Sequence, residues 1–269
     1  MEGIDLGSDR RTSRDRRATG RNSEAAALVA AFDRDEIEIL FQPQFAAADS
    51  ALLGAEALAR WQHPENVLIG GEELFEAAGR AHLVGRLSRH VASAALAAAA
   101  LWAGDLRLSL NVTAADLSEA GFVHTIASAL ARTGFSPERL TLEITEQVLV
   151  ADLDRSADRL QQLTDLGIRI ALDDFGAGFC NFGYLKRLPL HYLKLDRSMV
   201  EGIVENPRDL AVLRGILSMA RALGLEVIAE GIEREAQLEV IAREGCAAWQ
   251  GFLGARPVDT ARMAELTGA

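Results

Sequence analysis

Eight short apolar runs recur along the chain, and each ends on or beside a polar side chain able to bind metal, phosphate or base. In order these are Gln44, Glu56, Asn111, Glu143, Asp173 with Asp174, Lys194, Glu230 and Gln250. The runs have strand length and are separated by helix-length segments, the pattern of a parallel sheet with crossover helices. Eight such units predict a sheet closed into a TIM-like (β/α)8 barrel, which carries its chemistry at the C-terminal ends of its strands. That fold takes about 250 residues, so one barrel accounts for nearly all of the 269 residues here. Five of these groups are carboxylates, and together with the Asn111 amide and Lys194 at one rim they point to a divalent-metal site for a phosphate substrate.

Composition narrows the function. Hydrophobic residues make up 49% of the chain, enough for a large core. The net charge of -11 argues against DNA or RNA as a partner, because a phosphate backbone is repelled. A small phosphate ligand stays possible, since bound cations reverse the local field. Cys180 and Cys246 have neither disulfide-framework nor zinc spacing, which predicts reduced thiols in a cytoplasmic protein. No apolar stretch is long and uncharged enough to insert in a membrane, and the charged start lacks a signal-peptide core.

Residues 1–22 are predicted to be a disordered tail. Arg10 to Arg17 is arginine-rich and holds no apolar residue to offset its chain entropy. The barrel is expected over 23–269. Strands are predicted at Ile37–Phe41, Leu52–Trp61, Leu106–Val112, Leu140–Thr145, Ile168–Asp173, Tyr192–Asp196, Leu225–Glu230 and Ala247–Phe252. Between them lie a long helical stretch, Glu72–Leu101, broken near Gly85, and helices at Ala115–Thr133, Ser156–Leu166, Asn181–Leu188, Pro207–Leu223 and Arg234–Glu244. Ala261–Leu266 closes the chain as a helix.

Glu56 and Glu143 sit inside apolar strands, where a carboxylate is costly unless it is paired or metal-bound. Asn111 reads either as a turn residue or as a hard oxygen ligand. Arg60, four residues after Glu56, either grips a phosphate in bidentate fashion or makes a plain salt bridge. Asp173-Asp174 meets the glycine-rich turn Phe175–Phe179. Such a doublet can cap a helix, but beside the other carboxylates it reads as a bridge for two cations. Lys194 and Asp196 alternate, so they share one face of their strand. The lysine is placed to hold an attacking water and Asp196 to orient it. Glu230 and Gln250 end their strands, Glu233 follows in a turn, and Gly251 permits close backbone approach to a ligand. Glu146, past its strand, orients a loop. The five histidines are scattered without metal spacing, and no P-loop, dinucleotide fingerprint or serine elbow occurs.

These residues resemble the EAL-domain family, bacterial phosphodiesterases acting on cyclic di-GMP. The resemblance runs from Phe41-Gln42-Pro43-Gln44 to Gln250-Gly251-Phe252-Leu253. Glu56-Ala57-Leu58 carries the name. The stretch from Asp173-Asp174-Phe175-Gly176 through Tyr184–Pro189 to Leu193–Ser198, with Ala229-Glu230-Gly231-Ile232-Glu233, is the specific part. The resemblance implies a modified TIM barrel whose first strand runs antiparallel to the rest. It implies Glu56, Asn111, Glu143, Asp173, Asp174 and Glu230 as ligands of two Mg2+ or Mn2+ ions, with Ca2+ as inhibitor. Lys194 would hold the nucleophilic water, and Glu56, Glu230 and Asp173 join it as the catalytic set. Arg60 would contact a substrate phosphate; Gln44, Asp196, Glu233 and Gln250 would bind substrate or support the site.

The family's activity is hydrolysis of cyclic di-GMP to linear pGpG, and Glu146 would anchor the loop Phe175–Phe182 of a homodimer. The alternative is a catalytically silent receptor of the same dinucleotide. The chain departs from the family pattern at Ala77-Ala78, at Gly70–Phe75, and at Cys180-Asn181, where serines are common. None of these departures removes an implied ligand.

Overall fold

The structure, a computed structural model, describes residues 25–64, 67–146, 153–178 and 182–268. The arginine-rich segment, Cys180 and Asn181 lie outside them. The described chain forms two compact units. One comprises residues up to 38 with 59–88; the other comprises 39–58 and the chain from 89 onward.

The strands in chain order are β1 (Ile37–Ala46), β2 (Leu52–His63), β3 (Val67–Ile69), β4 (Arg107–Asn111), β5 (Leu140–Thr145), β6 (Arg169–Phe175), β7 (Tyr192–Leu195), β8 (Glu226–Ala229) and β9 (Ala248–Trp249). They hydrogen-bond in the order β1-β9-β8-β7-β6-β5-β4-β2-β3, and a β1–β2 pairing closes eight of them into a barrel. Neighbours from β2 through β9 are parallel, except the β2–β3 pair, whereas β1 meets β9 antiparallel. The expected architecture and the reversed first strand are both present.

The barrel forms because each strand has two useful faces. In β5, Leu140, Leu142 and Ile144 are fully buried in the main core, while Glu143 faces the other way. Each fully buried Leu or Ile contributes about 1.5–3 kcal/mol. A second, small cluster of Ala171, Tyr192, Ile228 and Ala248, with Leu53 packed on it, fills the inside. Each of the four lies two residues before a candidate site residue, so strand alternation alone carries the chain from plug to site.

Three expectations need correction. A ninth strand, β3, pairs with β2, and its Val67 and Leu68 are exposed. The expected helix Ala115–Thr133 is two helices, Ala114–Ser118 and Phe122–Thr133. Thr113 and Asp116 form a reciprocal cap that starts the first, and Glu119 turns extended to end it. The last strand is short. Gly251 turns the chain so tightly that a Cβ there would lie 2.1 Å from the Ile232 carbonyl oxygen. That glycine makes room for the protein's own backbone. The remaining helices, including Leu153–Asp165, Phe182–Arg187, Pro207–Ala222 and Glu235–Glu244, fall within three residues of expectation.

In the smaller unit, the Trp61 indole donates to Glu36 Oε2 at 3.3 Å and Arg86 stacks over Phe32. Ala77 and Ala78 are buried along the helix Gly71–Arg80. Among the described residues, no helix is long and apolar enough to cross a membrane.

Candidate functional site

Lys194, on β7, is 1% exposed, and its ammonium is surrounded by acids from four other strands or strand ends. Nζ donates to Glu143 Oε2 and lies 2.7 Å from Glu230 Oε1, 3.1 Å from Asp173 Oδ1 and 3.5 Å from Glu56 Oε2. Four carboxylates around one ammonium leave excess negative charge in a site shielded from water. Such a cluster is costly unless further cations or hydrogen bonds compensate it.

Amides supply part of the compensation. Asn111 Nδ2 donates to Glu56 Oε1 at 2.7 Å. Gln250 Nε2 donates to Glu56 Oε2 at 2.9 Å and to Glu230 Oε1 at 3.0 Å. Gln44, from the reversed strand β1, donates to Gln250 Oε1 at 3.0 Å and so fixes which way that amide points. The consequence shows in the carboxyl groups. Burial pushes Glu56 up, but the Lys194 charge and the hydrogen bonds from Gln250 and Asn111 outweigh it, so its pKa is lowered. Burial raises Glu143 well above the ordinary range, with Lys194 opposing and Glu56 adding to it. Glu230 is pushed up to about 8, again by burial before its acidic neighbours. For Lys194, burial alone would lower the pKa, but Asp173, Glu143 and the other acids raise it well above its usual value.

Among the described residues four buried side-chain atoms lack a hydrogen-bond partner, and the one carboxylate oxygen among them is Glu143 Oε1. Glu56, Glu143 and Asp173 each bring an oxygen within 4.8 Å of the others. All three are buried, and all are hard donors of the kind Mg2+ and Mn2+ prefer. An orphaned carboxylate oxygen among converging carboxylates in a site with surplus negative charge fits a divalent cation.

The aspartate doublet is resolved by a β-bulge. Leu172 pairs with Leu193 and Phe175 with Leu195, so β6 uses one residue more than β7 over the same step. Asp174 is that extra residue and takes a left-handed backbone, φ 55°. Asp173 therefore points inward to Lys194, while Asp174 is exposed beside it. A non-glycine residue in this conformation costs on the order of 1–3 kcal/mol and persists where its surroundings demand it.

Other predicted residues have different surroundings. Asp196 does not orient Lys194; its Oδ1 accepts from the backbone and hydroxyl of Ser198 and caps a short turn. Glu233 pairs with Arg197, 2.9 Å apart, at an exposed position. Arg60 belongs to the smaller unit, where its Nη1 donates to the Ala59 carbonyl. Glu146 directly follows β5, and the loop assigned to it includes residues outside those described. Sequence reasoning had no signal for the two-amide chain Gln44–Gln250–Glu56, because its members lie over 190 residues apart.

Comparison with known proteins agrees with this geometry. The EAL domain family model matches residues 25–257. The chain is 35% identical over 240 residues to the bifunctional diguanylate cyclase/cyclic di-GMP phosphodiesterase MucR of Pseudomonas aeruginosa, covering 88% of this chain and 35% of that protein. It is 34% identical over 257 residues to the cyclic di-GMP phosphodiesterase NbdA of the same organism, covering 94% of this chain and 33% of that one. It thus spans about a third of the length of these relatives. A solved structure of PaMucR phosphodiesterase in complex with c-di-GMP superposes with a TM-score of 0.83 at 34% identity, covering 90% of this chain and 99% of the other. With the fold, the acidic centre and the family match in agreement, the chain belongs to the EAL domain family.

Proposed function

We propose that this chain is a metal-dependent phosphodiesterase that hydrolyses cyclic di-GMP to linear pGpG. The observation that carries the reading is the buried convergence of Glu56, Glu143 and Asp173 on Lys194, with Glu143 Oε1 unpartnered. The names of MucR and NbdA and the ligand of the PaMucR structure support the choice of substrate.

Glu56, Asn111, Glu143, Asp173, Asp174 and Glu230 are the residues that would hold two Mg2+ or Mn2+ ions. When bound, these cations supply Lewis acidity and lower the pKa of water from 15.7 toward about 7. The protein's own part is positioning. Lys194 is held by its carboxylates as a fixed donor for the attacking water. The water oxygen forms a new bond to phosphorus, the bond to one ribose oxygen breaks, and that oxygen takes up the proton. Gln250, locked by Gln44, keeps Glu56 and Glu230 in place. Arg60 contacts a substrate phosphate, Asp196 and Glu233 line the approach, and Glu146 anchors the loop after β6. Inhibition by Ca2+ and dimerisation belong to the same proposal and rest on the family resemblance, whereas a cytoplasmic location rests on the unpatterned cysteines and the charged start of the sequence.

The test is incubation of the purified chain with Mn2+ and cyclic di-GMP, with the product identified by mass. Linear pGpG formed with Mn2+ and not with chelator is the expected result. Tight binding of an unchanged dinucleotide would make the chain a receptor instead.

A further inference from the structure

The opposite end of the barrel interior carries a second polar cluster that the proposed reaction does not use. Arg107 opens β4, Arg169 opens β6 and Tyr192 opens β7. Arg107 Nη1 donates to the Tyr192 hydroxyl oxygen at 2.7 Å, and Arg169 Nη1 donates to the same oxygen at 2.5 Å. Two cations thus converge on one neutral oxygen. Their Cζ atoms lie 6.0 and 5.9 Å from the ring centroid, at the outer limit of cation–π range, so the hydroxyl rather than the ring holds them.

Among the described residues, neither guanidinium has a carboxylate partner. Glu226, which pairs with Tyr192 in register, is exposed and makes no ion pair with either. That is unusual in a chain with net charge -11. The donor inventory points one way. Each guanidinium has five N–H donors and no acceptor, and a phenol oxygen already accepting two hydrogen bonds has only its own O–H left to offer. The cluster is therefore all donors with two positive charges, the complement of an oxyanion. Tyr192 is buried, whereas both arginines are partly exposed, so the donors are anchored from within and reachable from solvent.

We propose that Arg107, Arg169 and Tyr192 form a binding site for a phosphate-class oxyanion, at the barrel end opposite the metal-binding rim. Tyr192 and Lys194 are alternate residues of one strand. Occupancy at the arginine end therefore bears on the strand that carries the buried lysine.

The experiment is thermal unfolding of the full chain titrated with inorganic phosphate, with chelator present and ionic strength held constant with chloride. Without metal the acidic end repels anions, so a phosphate response reports on the arginine end. The midpoint is expected to rise and saturate. Arg107→Gln and Arg169→Gln should each weaken the apparent affinity at least about tenfold, the loss expected for one charge-assisted hydrogen bond. A 5′-mononucleotide run in parallel distinguishes sources: tighter binding than phosphate identifies a phosphomonoester, and equal binding a free anion. Phosphate acting no more strongly than chloride, or acting as strongly on both variants as on the unaltered chain, overturns the proposal. If the glutamine variants fail to fold, phosphorus-31 line broadening of phosphate by the unaltered chain, reversed by sulfate, must appear; its absence overturns the site.

Discussion

At one end of the barrel interior, four carboxylates enclose a fully buried lysine; at the other, two arginines share one phenol oxygen. The same strands supply both ends. Arg107 precedes Asn111 by four residues, Arg169 precedes Asp173 by four, and Tyr192 precedes Lys194 by two. Between them lies the apolar plug of Ala171, Tyr192, Ile228 and Ala248. The ends differ in how charge is managed. The acidic end is buried and over-supplied with negative charge, so it depends on its lysine and amides and has an oxygen to spare. The arginine end is partly open to water, which screens its surplus. A strand of a few residues can thus carry opposite excesses when an apolar layer separates them.

Removing an acid tests the deeper end most severely. Glu143→Ala or Glu56→Ala is expected to reduce Mn2+-dependent turnover of cyclic di-GMP by about 10³-fold or more, since a lost ligand forfeits several kcal/mol of transition-state stabilisation. Steady-state rates at saturating Mn2+ measure this, and a variant with near-normal kcat removes that glutamate from the metal set.

Lys194→Met leaves the carboxylates without their ammonium. The metal-free variant should lose about 3–5 kcal/mol of stability, as expected when a buried pair loses one partner. Mn2+ should restore more of that loss than it adds to the unaltered chain. Urea unfolding with and without metal decides, and equal stability of the two apo proteins would mean that the lysine is not the compensating charge.

The pH dependence separates the ends further. Glu230 titrates at about 8 in the folded chain against 4.5 as its ordinary value, and Glu143 is raised well above that value. Their raised pKa values make the folded state the better proton binder. For Glu230 this contribution is complete below about pH 4.5 and is lost as pH rises through about 8, and Glu143 acts in the same direction. The metal-free protein should therefore melt a few degrees lower at pH 8 than at pH 6, and Mn2+ should flatten that slope by displacing the protons. Thermal midpoints across this range, with chelator and with Mn2+, provide the check; a rising midpoint without metal contradicts it. The smallest effect belongs to the other end. Arg169→Gln should change unfolding free energy by under about 1 kcal/mol, because water screens a partly exposed charge. A loss as large as that of Lys194→Met would erase the contrast between the ends.

Much of this was legible in the residues. Alternation within Leu140–Thr145 and Tyr192–Leu195 announced strands with one polar inner face, and buried acids such as Glu143 announced a centre because a lone carboxylate is costly there. The reversed first strand came only through family resemblance, since strand direction leaves no mark in local periodicity. The amide chain through Gln44 and Gln250 was hidden because it joins opposite ends of the sequence. The split at Glu119 leaves little mark in the residues, because only Gly121, just before the second helix, interrupts a run that otherwise favours helix. The arginine end escaped notice for a different reason: arginines at strand starts read as ordinary solvated charges until two of them meet on one oxygen.

The bulge in β6 has a consequence for how this scaffold can vary. The ladder between β6 and β7 is already in step on both sides of Asp174, with Leu172 on Leu193 and Phe175 on Leu195. A chain shortened by that single residue keeps its pairing, its enclosed lysine and its inward aspartate, and forfeits only the outer carboxylate. The supply of anionic oxygen at the rim can therefore be dialled by one insertion or deletion, with no need to redesign the walls.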